Sequence, residues 1–196
     1  VKHPKSLIKF LKKKYFLLVL SHRTRMPLKI KYRSPQTLGK DRIATAAGVR
    51  SLFPQKNILA ISAGTCITYN YISDRGLFIG GTISPGIFMR MKAMNQFTQS
   101  LPLVSFQNRR PQPVGKSTRE CILSGAVNGF ISEIEGLCVT FKKNHPDGKI
   151  VITGGDGIFI YNEMIALQSL KNSIFVRPNL VLEGLNRILE YNLVNS

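Results

Sequence analysis

The chain has 196 residues, enough to bury a core in one domain or two small lobes, and its apolar content of 43% excludes a disordered tail. Its formal net charge is +18, and residues 1–42 contain thirteen Lys or Arg against one acid, Asp41. This charge attracts phosphates on nucleotides, nucleic acids or anionic lipids, although a lysine-rich genome that leaves solvated basic faces produces the same composition.

The N-terminal residues predict a helix followed by a strand. Residues 4–14 place leucine and isoleucine at helical spacing with lysines opposite. Residues 15–21 are a short apolar run without polar alternation, which predicts a buried strand and is too short for a signal peptide or a membrane span. Residues 22–38 are predicted to be loop. The start at Val1, where Met is usual, indicates a fragment or an unusual start.

The middle of the chain predicts a helix and then a β-meander. Residues 41–53 fit an amphipathic helix that ends before a proline. Residues 58–72 predict a strand, a small turn and a second strand, and a third strand follows at 77–79. The glycine-rich stretch 80–86 is predicted to be a loop whose bare backbone approaches a ligand closely.

The C-terminal half alternates helices and strands, as in an α/β protein. Helices are predicted at 87–99, 117–143 and 180–192, and a buried strand is predicted at 149–153. A long polar loop is predicted at 101–117.

The cysteines and histidines give no disulfide or metal pattern. The residues are Cys66, Cys121, Cys138, His3, His22 and His145. Three cysteines without C-x-x-C spacing indicate reduced, mostly buried thiols in a cytoplasmic protein. Because the histidines lack ligand spacing, no zinc site is predicted.

Asp41 is the strongest of ten carboxylates as a candidate catalytic group. At the start of a helix, a carboxylate is stabilised by free N–H groups and the helix dipole, so a plain first-turn acid is one interpretation. The other is a general base beside Arg42, which requires a substrate hydroxyl within hydrogen-bond reach.

Two small turns are candidate ligand-binding backbones. The turn at 63–65 could face a phosphate with its N–H groups and the Thr65 hydroxyl, and the Gly-Gly-Asp corner at 154–156 could hold a nucleoside. Taken alone, either pattern is more often an ordinary tight turn.

Taken in order, these features resemble the type III pantothenate kinases, especially the Bacteroidetes forms, from about residue 15 to residue 192. The motifs begin with Tyr32 and, seven positions later, GKDR (39–42). They continue with ISAGTCITYNYI (61–72), GGTISPG (80–86), SLPLV (100–104), GKST (115–118), TGGD (153–156) and LVLEGLNRILEYN (180–192).

The resemblance implies an α/β fold of the actin, Hsp70 and sugar-kinase type, with two RNase H-like lobes and ATP between them. Residues 1–57 would be the remainder of the N-terminal lobe and residues 58–196 the C-terminal lobe. The N-terminal lobe would be incomplete, because the family's D-x-G-N-T phosphate loop is absent from these 196 residues.

The resemblance also implies an activity. Family members transfer the γ-phosphoryl group of ATP to pantothenate, forming 4'-phosphopantothenate in the first step of coenzyme A biosynthesis. It implies a cytoplasmic homodimer with the pantothenate site at the subunit interface, using Mg²⁺ and a monovalent cation, K⁺ or NH₄⁺. Neither a nucleic acid nor a membrane is implied as a partner.

Site residues follow from the matching positions. Asp41 would be the general base. The implied pantothenate residues are Tyr32, Gly39, Lys40, Arg42 and Thr118. The implied ATP residues are Gly64, Thr65, Gly154, Gly155 and Asp156.

The chain departs from the family at two acidic positions. Ser62 stands where the family has an aspartate that helps to hold the monovalent cation, and Asn70 stands where an aspartate is common. A catalytically impaired remnant or a regulatory relative is therefore an alternative hypothesis. A basic nucleic-acid-binding protein is a remote one, because no helix-turn-helix, RNA-recognition motif or zinc spacing is found.

Overall fold

A six-stranded mixed β-sheet forms the centre of the computed structural model, which describes residues 4–167 and 170–194. The strands are β1 (Lys29–Ile30), β2 (Ile58–Ala63), β3 (Cys66–Ile72), β4 (Leu77–Pro85), β5 (Lys149–Thr153) and β6 (Ile174–Val176). Their order is β1-β4-β3-β2-β5-β6. Strands β2, β3 and β4 form an antiparallel meander, whereas β5 runs parallel to β2 and β6 runs parallel to β5. This is the strand order of an RNase H-like lobe, and the predicted α/β class is confirmed.

Helices cover both faces of the sheet. They are α1 (Lys5–Lys14), α2 (Lys40–Leu52), α3 (Ile87–Phe97), α4 (Thr118–Asn144), α5 (Gly157–Ile165) and α6 (Leu180–Val194). Alternate residues of a strand point to opposite faces. Accordingly, Leu59 and Ile61 of β2 pack with α3, α4 and α5, whereas Ile58 and Ala60 pack with α2 and α6.

Helix α4 is the one helix in the described residues that is long and apolar enough to cross a membrane. One side of it, including Phe130, Ile131 and Ile134, is fully buried against the sheet. A core helix passes the same length and composition test, so we interpret α4 as the core helix of this layer.

The predicted buried strand at 15–21 is wrong. The segment belongs to no strand, and Phe16 and Val19 are 62% and 47% exposed. A strand covered on both faces needs neighbouring strands, and none pairs with this segment in the described part of the chain. Its leucines instead line a groove with α1.

The glycine-rich stretch 80–86 is also not the predicted loop, because β4 continues through it to Pro85. Gly81 lies so close to the carbonyl oxygen of Tyr69 that an added Cβ atom would be 1.8 Å from it. The lack of a side chain at Gly81 therefore allows β4 to lie this close to β3. Strands β1 and β6 and helix α5 were not predicted, whereas the predicted helices and strands β2, β3 and β5 are confirmed to within a few residues.

The cysteines are free, but the expectation that most are buried is wrong. Cys138 is buried, whereas Cys66 and Cys121 are exposed, at the start of β3 and on the outer side of α4. Of the histidines, His3 lies outside the described residues. The division at residue 57 into two lobes stays a prediction.

Candidate active site

Most of the candidate residues lie at one edge of the sheet, where the parallel strands β2 and β5 both end. Ligands of open α/β sheets bind in the crevice outside the carboxyl ends of parallel strands. The turn that follows β2 and the corner that follows β5 meet here, since Asp156 N donates to Ala63 O at 3.4 Å. Helix α2 begins at the same edge, where Thr45 and Ser62 lie 3.4 Å apart through their hydroxyl groups.

Asp41 lies in the first turn of α2 and is exposed to solvent. Its Oδ1 atom lies against Gly39, where an added Cβ would approach it to 2.6 Å. Asp41 and Lys40 also line one end of a groove of about 410 Å³, whose other walls are apolar residues of α1, segment 15–21 and α6. The carboxylate is therefore open to a substrate.

Arg42, the next residue, points into the protein and is only 5% exposed. Its Nε donates to Asn70 Oδ1 at 2.6 Å, whereas its Nη2 has no hydrogen-bond partner among the described residues. The guanidinium carbon lies 6.0 Å from the ring centroid of Tyr32 and 5.7 Å from that of Phe78. A buried cation with an unused donor is suited to an anionic or polar ligand group.

Polar side chains continue from Arg42 beneath α2. Of the six buried polar or charged residues in the described chain, all but Ser124 belong to this set, which is Arg42, Thr45, Thr68, Asn70 and Thr153. Ser62 pairs with Thr68 on β3 and with Thr153 on β5, so these three side chains form a row on the face that α2 covers. Buried polar groups cost free energy unless they are satisfied, so their concentration marks this region as a candidate site.

Sequence reasoning gave Thr45 and Thr68 no role, and it included Thr153 only as the first residue of the TGGD motif. The available signal was a hydroxyl at an inward position of an otherwise apolar strand or helix. That signal can be used only when the inward face is known.

The Gly64–Thr65 turn between β2 and β3 is exposed and is supported from two sides. Gly86 N donates to Thr65 O at 3.1 Å. On the other side, Gly154 lies so close to Ala63 O that an added Cβ would be 2.1 Å away, and its φ of +96° favours glycine. An added Cβ on Gly64 itself would meet no atom within 4 Å, so the outer side of the turn is open.

Asp156 begins α5 and is half-buried, and its side chain makes no capping hydrogen bond. Burial raises its pKa above the ordinary value of an aspartate. Gly155 beside it is exposed, with open space around it. This corner can therefore accept a ligand next to the Gly64–Thr65 turn.

Thr118 lies on a different helix from Asp41. It is the first residue of α4, after the N-cap Ser117, whose Oγ accepts from Glu120 N at 3.3 Å, while Lys116 N donates to Glu120 Oε2 at 2.7 Å. Helix α4 covers the opposite face of the sheet from α2. Within one subunit, Thr118 and Asp41 therefore belong to helices on opposite faces of the sheet.

Comparison with known proteins gives consistent matches. A family model described as type III pantothenate kinase matches residues 3–140. The chain is 44% identical to the type III pantothenate kinase of Christiangramia forsetii, over 93% of this chain and 72% of that protein. The corresponding protein of Cytophaga hutchinsonii is 44% identical over 89% of this chain and 71% of its own length.

A solved structure from Campylobacter jejuni, described as a Baf family transcriptional activator, has a similar fold. It superposes with a TM-score of 0.61 and 22% sequence identity, over 97% of this chain and 80% of that one. At this identity the match concerns the fold alone.

Proposed function

Because the chain belongs to the type III pantothenate kinase family, we propose that it transfers the γ-phosphoryl group of ATP to pantothenate and forms 4'-phosphopantothenate for coenzyme A biosynthesis. One observation carries the proposal. In a single turn of α2, an exposed carboxylate, Asp41, precedes a buried guanidinium with an unused donor, Arg42. Phosphoryl transfer to an alcohol needs both a base and a group that positions the substrate.

On the pantothenate side, Asp41 accepts the proton of the substrate hydroxyl. Arg42 and Tyr32, whose guanidinium carbon and ring centroid lie 6.0 Å apart, orient the substrate together with Gly39 and Lys40. The apolar groove beside Asp41 has room for the pantoyl methyl groups.

On the ATP side, Gly64 and Thr65 contact the phosphates, and Gly154, Gly155 and Asp156 lie beside the nucleoside. The open space at Gly64 and Gly155 fits this role. Mg²⁺, when bound with ATP, would neutralise phosphate charge. Ser62 occupies the monovalent-cation position for K⁺ or NH₄⁺ with a neutral hydroxyl.

We also propose a cytoplasmic homodimer in which Thr118 of one subunit serves the pantothenate site of the other. The placement of Thr118 and Asp41 on opposite faces of the sheet supports this arrangement. Exposed small residues line the outer side of α4 at helical spacing, and they are Gly125, Gly129, Ser132 and Gly136. Their small size permits close approach of a second helix.

The activity is tested by incubating the chain with ATP, Mg²⁺, K⁺ and pantothenate and detecting phosphopantothenate by mass spectrometry. Asp41→Asn should lower kcat by about 10²- to 10⁴-fold, the usual contribution of a general base. Asp147→Asn, an exposed carboxylate before β5 at the far end of the sheet, is the matched control and should leave kcat unchanged. Nucleotide binding without product would instead identify the impaired relative.

The shared site is tested by mixing two inactive variants, Asp41→Asn and Thr118→Val. Random heterodimers contain one intact site of the two, so activity should recover to about a quarter of the wild-type value. A wild-type monomer in light scattering, or no recovery on mixing, would contradict the shared site.

A further inference from the structure

Glu133, in the middle of α4, is contacted by polar side chains of three other elements, β3, β4 and α3. Tyr69 Oη of β3 donates to Glu133 Oε1 at 2.8 Å, and Ser84 Oγ of β4 donates to Oε2 at 3.0 Å. Arg90 of α3 forms an ion pair with the same Oε2 atom. The side chains of Arg90 and Glu133 are only 21% and 27% exposed, so solvent screens this pair less than an open surface pair.

Arg90 connects this cluster to the corner between β4 and α3. Its Nε donates to Pro85 O at 2.9 Å, its Nη2 donates to Ser84 Oγ at 3.1 Å, and its backbone N–H donates to Gly86 O at 3.0 Å. Its guanidinium also lies 5.3 Å from the ring centroid of Phe130. The arginine therefore has little freedom, and the Pro85–Gly86 backbone is fixed by it.

Gly86 in turn supports the turn after β2. Besides its hydrogen bond to Thr65 O, Gly86 packs so closely that an added Cβ would be 2.1 Å from Gly64 O. A displacement of Pro85–Gly86 would therefore move the Gly64–Thr65 turn.

We propose that Glu133 and Arg90 are positioning residues that hold the Gly64–Thr65 turn in its phosphate-binding position. The proposal rests on the kinase function proposed above. Each contact in the path from Glu133 to Arg90, then to Pro85–Gly86 and on to Thr65, is a hydrogen bond, an ion pair or a direct chain connection. The path ends at the Gly64–Thr65 turn and includes none of the residues assigned to pantothenate, whether on α2 or at the start of α4. Loosening this path should therefore weaken ATP binding and leave the KM for pantothenate unchanged.

The test is steady-state kinetics, with both substrates varied, together with equilibrium binding of a non-hydrolysable ATP analogue. Glu133→Gln keeps the size of the side chain and removes the ion pair. It should raise KM for ATP and Kd for the analogue by about tenfold, the ratio expected for one charge-assisted hydrogen bond, with KM for pantothenate unchanged. Arg90→Lys keeps the charge but cannot reach both Glu133 and Pro85 O, and should have the same direction of effect.

Ile134→Val is the matched control, because it loosens the packing of the same helix one residue away without touching the path. Glu133→Gln and Arg90→Lys proteins that bind the analogue like wild type would overturn the proposal, as would equal increases in both KM values or an equal effect of Ile134→Val. Wild-type protein that binds no ATP analogue and forms no product would overturn the proposed function and this inference with it.

Discussion

Arg42 and Asn70 meet inside the protein, where Arg42 Nε donates to Asn70 Oδ1 at 2.6 Å. Asn70 is held in this orientation because its Nδ2 donates to Thr68 Oγ1 at 3.3 Å and to Ala60 O at 3.4 Å. The partner of the buried cation is thus a neutral amide. A cation buried this way costs free energy that the fold must offset, which is characteristic of residues retained for a binding site.

We predict that Asn70→Leu destabilises the protein by about 2–3 kcal/mol, because it leaves a buried charged donor without its acceptor. Urea denaturation measures the change. The double variant Arg42→Met/Asn70→Leu removes the charge as well and should recover much of the loss. A double variant less stable than Asn70→Leu alone would show that Arg42 is stabilising without its partner.

Helices α2 and α6 cross at two glycines, and we predict that Gly184→Ala prevents this packing. An added Cβ on Gly184 would lie 1.8 Å from Ala44 O, so the helices must separate, at a cost of about 1–3 kcal/mol or more. Gly157→Ala in α5 is the matched control, because an added Cβ there would meet only Ile152 Cγ2, at an ordinary contact distance of 3.5 Å, and alanine favours the helix. Thermal unfolding should rank Gly157→Ala close to wild type and Gly184→Ala well below it. Equal effects would contradict this account of the crossing.

The sequence predicted the elements whose apolar pattern is long enough to be read locally. Helix α4 and the β2–β3 meander have such patterns. Strand β6 has three residues, which is too short for any periodicity, and segment 15–21 has the composition of a strand but no strand pairs with it in the described chain. Strand formation depends on neighbours that composition does not reveal.

Only part of the candidate site could be predicted, because local motifs can be read from the sequence and contacts between distant residues cannot. Asp41 and Arg42 belong to a recognisable motif, and their opposite exposure follows from helical geometry once one face of α2 is buried. Asn70, by contrast, contacts Arg42 only because β3 lies next to β2 beneath α2. That contact joins residues 28 positions apart and depends on the sheet order.

Asp156 should make stability depend on pH. Because burial raises its pKa in the fold, the folded protein holds this proton more tightly than the unfolded chain. The free energy of unfolding therefore falls as pH rises from the ordinary aspartate pKa through the raised pKa of Asp156. Asp156→Asn should remove that decrease and be more stable than wild type at neutral pH. Urea midpoints from about pH 3 to pH 7 test it, with Asp147→Asn as an exposed control, and parallel curves for Asp156→Asn and wild type would refute it.

Ser62→Asp should strengthen the response to a monovalent cation. Ser62 is partly buried and its hydroxyl lies 3.4 Å from that of Thr45, so its side chain offers a neutral oxygen where hard cations prefer an anionic one. A carboxylate there should lower the K⁺ concentration for half-maximal activity by about tenfold. Ser51→Asp, at the other end of α2, should not change it. An unchanged K⁺ response in Ser62→Asp would exclude this position as the cation site.

The three cysteines differ in exposure, so their rates of chemical modification can test the proposed ATP site. Cys66 and Cys121 are exposed, whereas Cys138 is buried and its pKa is raised to about 12 by that burial. A thiol reagent should therefore modify two cysteines in the native protein and the third only after unfolding, because the thiolate is the reactive form. Since Cys66 directly follows Thr65, ATP should slow the modification of Cys66 and leave Cys121 unaffected. Mass spectrometry of labelled peptides distinguishes the sites, and protection of Cys121 in preference to Cys66 would place the nucleotide away from the Gly64–Thr65 turn.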